Sequence, residues 1–211
     1  MGHHLTRVLR LTPGAHVELY DGSGQTALAT LVDTGPPAVV EQNEGPISAP
    51  PRPPLYALLG HTKGAALDRA LRMATEAGAT HLWVVGCTRS VPRGTKLPRW
   101  ERIVAAAARQ CGRADVPTLA YHPSVRAGCE ALPSPVTDRF VAHPGAAGHG
   151  TPIGGAAVLV GPEGGLTEDE LRTALEQGLR PLGLGPHVLR ADTAAAAAVS
   201  ALSTRQADDD G

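Results

Sequence analysis

The sequence predicts an α/β protein, with a mainly parallel sheet preceded by a small β-rich domain. Three observations predict it. Past residue 55, short apolar runs alternate with segments of helical period, the pattern of strands joined through helices. One of those runs, Ala156–Val160, is apolar without alternation, as expected for a strand buried on both faces. Before residue 49 the texture differs, with short alternating segments broken by turn residues.

Along the chain, HVELYDG alternates around Val17 and Leu19 and turns at Asp21-Gly22, and TALATLVDTG repeats the pattern around Leu28 and Leu31. Pro50, Pro51, Pro53 and Pro54 then make a stiff linker over 49–55. It separates a domain over 1–48 from a second over 56–206, with an acidic tail at 207–211. In KGAALDRALRMATEAG, Leu67, Ala70, Leu71 and Ala74 share a helical face that closes at Gly78. HLWVVG is the next strand, and Pro98 opens a helix carrying Trp100, Ile103, Val104, Ala107 and Cys111 at helical spacing. PTLAY, RFVAH and AAVLVG are further strands, and HPGAAGHGTPIGG is a surface loop.

A chain of 211 residues, 42% hydrophobic, holds one good core plus a small appended domain. The polar first residues and the absence of an apolar run of spanning length predict a cytoplasmic protein with no membrane partner. Cys87, Cys111 and Cys129 form no C-x-x-C pair and read as reduced thiols. Nine histidines show no ligand spacing, so no metal is expected.

LVGPEGGLTEDEL, Leu159 to Leu171, carries the strongest local signal. Thr167 and Glu170 form a capping box, Leu166 and Leu171 its hydrophobic staple, so a helix starts at Glu168. Gly161–Gly165 is therefore a turn at the carboxyl end of a central strand, where open α/β sheets bind ligands. A phosphate cradle is excluded, because Glu163 would repel the anion and the P-loop Lys-Ser/Thr is missing. In PLGLGPHVLRADTAAAAAVSAL, Leu182, Leu184, Val188 and Leu189 offer an apolar wall, and Gly183 and Gly185 let backbone approach it. Arg190 reads as buried, and Asp192 can cap the alanine-rich helix that follows.

The net charge of −1 conceals an asymmetry: residues 1–113 carry 13 Lys+Arg against 8 Asp+Glu, and the remainder 6 against 12. Between Cys87 and Arg113, seven cationic residues face only Glu101. Such a local field suits a polyanion, and a solvated helix face is the competing reading.

These stretches carry a resemblance. LVGPEGGLTEDEL and LGLGPHVLRADTA resemble the signature motifs of the ribosomal RNA small subunit methyltransferase E family, of the SPOUT superfamily. ATEAG, TRSV, Arg99-Trp100 and QCGR resemble its other catalytic-domain motifs in order, and HHLTRVLRLTPGAHVELYDGSG its PUA-like barrel. The resemblance implies a C-terminal SPOUT trefoil-knot domain, an N-terminal PUA-like β-barrel that is shortened here, and a homodimer. It implies methyl transfer from S-adenosylmethionine to N3 of a uridine near the 3′ end of 16S rRNA, with the small ribosomal subunit as partner. The cofactor pocket it implies comprises Val160, Gly161, Pro162, Glu163, Gly164, Gly165, Leu182, Leu184, Gly185, Val188, Leu189 and Thr193. His187 stands where the family commonly has arginine, Asp192 where it has glutamate and Met73 where it has lysine.

The developing anion at N3 calls for electrostatic help, for which Arg89 and Arg190 are the catalytic candidates; a structural ion pair is the alternative for each. No general base is evident, though His187 could serve. Phosphate contacts are expected from Arg7, Arg10, Arg89, Arg93, Arg109 and Arg113. Two rival readings stand beside this one: a SPOUT enzyme for a different RNA, and an RNA-binding homologue without catalysis.

Overall fold

The computed structural model describes residues 10–35, 37–48, 52–90, 95–146 and 154–208, and the chain divides into two compact units. The first comprises the chain to Pro51 together with Gly112–Val116, and the second the rest.

Among the described residues, the first unit is a four-stranded antiparallel sheet: β1 (His16–Tyr20), β2 (Gln25–Asp33), β3 (Val39–Gln42) and β4 (Ile47–Ser48). β1 and β3 flank β2, and β4 also pairs with β2. Asp21 Oδ1 makes the β1–β2 turn by accepting from the backbone N–H of Ser23 (2.7 Å) and of Gln25 (3.0 Å). Ala27, Ala29 and Leu31 point inward, whereas Leu28 points out. Leu28 and Leu31 are three apart, and a strand's period of two puts them on opposite faces. Gly112–Val116 closes on the turn: Gly24 N–H donates to Ala114 O (3.2 Å) and Val116 N–H to Gly22 O (2.9 Å).

Among the described residues, the second unit is a six-stranded parallel sheet flanked by five helices. Its strands are β5 (Leu55–Gly60), β6 (His81–Val85), β7 (Thr118–His122), β8 (Asp138–Ala142), β9 (Ala156–Val160) and β10 (Arg180–Leu182), in the order β10-β8-β9-β5-β6-β7. The central strands β5 and β9 are buried throughout because both faces are covered. Leu55, Ala57, Leu59, Ala156, Val158 and Val160 pack with α1 (Ala65–Glu76), α2 (Leu97–Gln110) and α5 (Ala191–Asp208). Tyr56, Leu58, Ala157 and Leu159 pack with α3 (Val125–Glu130) and α4 (Glu168–Glu176). Each such fully buried Val or Leu contributes about 1.5–3 kcal/mol, so the runs without alternation are the two-sided core itself.

Helix boundaries follow local chemistry. α4 begins at Glu168 with the complete Thr167/Glu170 capping box. α2 carries Pro98 in its first turn and buries Trp100, Val104 and Ala107, but it ends at Gln110, which leaves Cys111 exposed. α5 begins at Ala191, so Asp192 lies inside its first turn and is not the cap. The order of the strands and the return of α5 to β5 and β9 are consistent with the expected knotted arrangement. No described helix is long and apolar enough to cross a membrane.

Candidate cofactor cleft

At the carboxyl ends of β8 and β9 lies a cleft of about 590 Å³ within the second unit. That volume suits a nucleoside-sized ligand. One wall is the turn after β9, with Val160, Gly161, Pro162, Glu163 and Gly165. Another wall is the segment after β10, with Leu184, Gly185, His187, Val188, Leu189 and Arg190. Arg69 of α1 and Asp192 of α5 close one side, and His143 after β8 another. The exposed backbone of the glycine-bearing turns and the apolar side chains Val160, Leu184, Val188 and Leu189 fit a neutral purine nucleoside, and Glu163, Arg69 and Arg190 fit a charged appendage. Val188 is 80% exposed, which is unusual for an aliphatic side chain unless a ligand or another chain covers it.

The turn owes its form to its two neighbouring glycines for different reasons. Gly165 holds φ +71°, a left-handed conformation that side chains resist. Gly164 is not on the cleft; a Cβ there would lie 3.2 Å from Arg89 Cβ, so its smallness admits Arg89. Arg89 Nη1 donates to Gly164 O (2.9 Å) and Leu166 O (3.3 Å). Reciprocally, Glu170 accepts from Thr88 N–H (2.6 Å) through Oε1 and from Thr167 N–H (2.8 Å) through Oε2. The segment after β6 is thus clasped twice to the turn that forms the cleft. Burial would raise the Glu170 pKa, but the hydrogen bonds from Thr167 and Thr88 outweigh it and hold the carboxyl below its usual range. The same carboxylate, with burial as the larger cause, pushes the neighbouring Cys87 thiol up to about 12, so it stays protonated.

The other expected site residues fall out as follows. Leu182 is fully buried in the core and does not line the cleft, and Thr193 is exposed outside it. Arg190, which the sequence suggested was buried, is exposed on the cleft. In the first unit Arg10 is exposed, whereas Arg113 is buried and holds Asp115 through Nε–Oδ1 (3.2 Å) and Nη2–Oδ2 (2.5 Å). In the second unit Arg109 is exposed near the end of α2. Along that helix Arg99 pairs with Asp68 at 2.5 Å, which tempers the basic field read from the sequence. Arg7 and Arg93 lie outside the described residues. Among the described residues no three of His, Cys, Asp or Glu converge to hold a metal ion.

Two contacts, one bracing the turn after β9 and one lining the cleft, escaped the sequence. Glu170 was legible as a cap, but its bond to Thr88, 82 residues away, was not. Arg69 carried no signal at all, and its partner Asp192 lies 123 residues along the chain.

A family model described as an RNA methyltransferase domain matches residues 50–203, and one described as an RNA methyltransferase PUA domain matches residues 2–40. The ribosomal RNA small subunit methyltransferase E of Mycobacterium bovis is 32% identical over 221 residues, with 95% of this chain and 82% of the relative covered. The chain belongs to the ribosomal RNA small subunit methyltransferase E family. The Synechocystis member is 31% identical, covering 95% of this chain and 70% of its own. Among solved structures, the Neisseria gonorrhoeae member bound to S-adenosyl methionine has TM-score 0.82 and 30% identity, covering 95% of this chain and 87% of that one. A crystal structure described as a probable rRNA-methyltransferase from Porphyromonas gingivalis has TM-score 0.81 and 26% identity, covering 98% and 91%. The family's fold is therefore the one this chain adopts: a SPOUT methyltransferase domain with a PUA-like domain before it. Of the family departures, His187 and Asp192 both line the cleft, and Met73 sits half-buried on α1.

Proposed function

We propose that this chain methylates N3 of a uridine in 16S rRNA of the small ribosomal subunit, the uracil1498-N3 type of reaction, with S-adenosylmethionine as methyl donor. The observation that carries the reading is the cleft at the β9 carboxyl end, walled by Gly161, Pro162, Glu163, Gly165 and Leu166 and by the segment after β10. It is supported by the cofactor-bound neighbour at 30% identity. When bound, the cofactor supplies an electrophilic methyl on a sulfonium. The chain's task is then alignment and exclusion of water. Val160, Leu184, Val188 and Leu189 bracket the adenosine, and the backbone at Gly161, Pro162, Gly165 and Gly185 approaches it. Glu163 serves the ribose hydroxyls or the cationic sulfur. Leu182 supports the wall from the core, Gly164 seats Arg89, and Thr193 lies in the first turn of α5 outside the pocket.

In this reading Arg190 stabilises the anion developing at N3, which its exposure on the cleft supports. Arg89 contributes by holding the cleft turn, because Nη1 is spent on two carbonyls there. Arg10 and Arg109, exposed on separate units, are candidate phosphate contacts, as are Arg7 and Arg93; burial of Arg113 and its pairing with Asp115 remove it from that set. The chain works as a homodimer in the cytoplasm, where the exposed apolar Val188 segment suits an isologous contact or bound cofactor. Calorimetric titration with S-adenosylmethionine tests the pocket; a chain that binds none is an RNA-binding homologue. Mapping the nucleotide left unmethylated in a deletion strain tests the target, and a site in another RNA overturns the uridine assignment.

A further inference from the structure

The polar side of the cleft is built from two residues that the sequence did not connect. Arg69 Nε, on α1, donates to Asp192 Oδ2, on α5, at 2.6 Å. Asp192 Oδ1 accepts from Thr193 N–H at 3.0 Å, so both of its oxygens are committed to the protein. Its side chain is 10% exposed, whereas that of Arg69 is 46% exposed and lines the cleft. Among the described residues, neither Nη1 nor Nη2 of Arg69 has a hydrogen-bond partner. The guanidinium is therefore anchored at one nitrogen and offers its outer fork, which matches a carboxylate in two parallel hydrogen bonds. An arginine already held by Asp192 loses less side-chain freedom on binding than an untethered one.

We infer that Arg69 binds the α-carboxylate of the cofactor's methionine moiety, with Asp192 as its positioning residue. This rests on the S-adenosylmethionine reading above. The cofactor carries one anionic group; its adenosine is neutral, and its sulfonium and ammonium are cationic. Glu163, on the wall formed by the turn after β9, suits the cationic part, so the two charged side chains of opposite sign orient the ligand in the cleft. Arg190 also lines the cleft, but it has no comparable anchor among the described residues.

The experiment compares S-adenosylmethionine with 5′-methylthioadenosine, which keeps the adenosine and sulfur but lacks the amino-acid portion. Both are titrated calorimetrically into the wild-type chain and into Arg69→Gln, Arg69→Lys, Asp192→Asn and Arg190→Gln, with thermal melts to verify folding. Arg69→Gln should weaken S-adenosylmethionine about tenfold to a hundredfold, the range for hydrogen bonds to a charged group, and leave methylthioadenosine within about twofold. Arg69→Lys should restore part of the selective loss, and Asp192→Asn should show a smaller one; these two carry the test if Arg69→Gln does not fold. Equal losses for the two ligands, no loss, or a selective loss in Arg190→Gln alone would overturn the assignment. A wild-type chain that binds neither ligand removes the cofactor reading as well.

Discussion

Glu170 does two jobs with one carboxylate, capping α4 and holding Thr88, and both rely on its charge. Glu170→Ala should cost about 1–2 kcal/mol in chemical unfolding, the range for a lost cap and a charged hydrogen bond together. Glu170→Gln keeps one acceptor and should cost less. Because the folded-state pKa lies below the usual carboxylate range, this stabilisation is complete above that range and is lost as pH falls through the lowered pKa. The gap between wild type and Glu170→Gln should accordingly narrow in acid and stay constant from neutral to mildly alkaline pH; a constant gap across the acid range would contradict this. Asp192, held low first by its bond to Arg69, should follow the same direction. Gly165→Ala should cost about 1–2 kcal/mol from its left-handed φ alone, measurable as a lowered melting temperature before any ligand is added. A lost affinity in bulkier variants at 165 must therefore be judged against a melt.

At the scale of elements, the turn between β9 and α4 was the most legible part of the chain, because a two-sided strand, a capping box and a staple are all written within a dozen neighbouring residues. The strands and helices of the second unit were legible for the same reason, since burial imposes a period on each segment separately. What could not be read was pairing between segments: the Arg69–Asp192 bridge joins α1 to α5, and the Arg89–Gly164 and Thr88–Glu170 bonds join the β6 end to the β9 end. Spacing along one segment holds no record of the partner on another. The clasp predicts coupling: Arg89→Ala and Glu170→Ala should be non-additive in their effect on unfolding free energy, by about 0.5 kcal/mol or more, since both release the same turn. Strict additivity of the double variant would mean that the two bonds act independently.

Over the whole molecule, the arginines divide by unit and by burial, so their substitution should separate two kinds of effect. Arg113→Gln should lower stability, because it leaves Asp115 without its bidentate partner, and should leave the salt dependence of RNA binding unchanged. Arg109→Gln should leave stability unchanged and reduce the salt slope by roughly 0.7–0.9 if Arg109 touches one phosphate. Filter binding across a salt series reads the second, and chemical unfolding the first; the reverse assignment would move the RNA surface to Arg113. Light scattering at working concentration should give twice the mass of the chain, and an active monomer would discard the dimer.

The N-terminal unit is not finished by the N-terminal stretch of chain. Its β1–β2 turn donates a hydrogen bond to Ala114 O and accepts one from Val116 N–H, and the pair of buried Arg113 with Asp115 belongs to it as well. During synthesis, then, the first unit must wait for roughly sixty further residues to emerge, several seconds at about 5–20 residues per second, before its last segment is available. The two units are entangled in time of birth: the early one is sealed by a piece made in the middle of the later one, and a nascent chain halted near residue 52 carries an unsealed sheet for a holdase to shield.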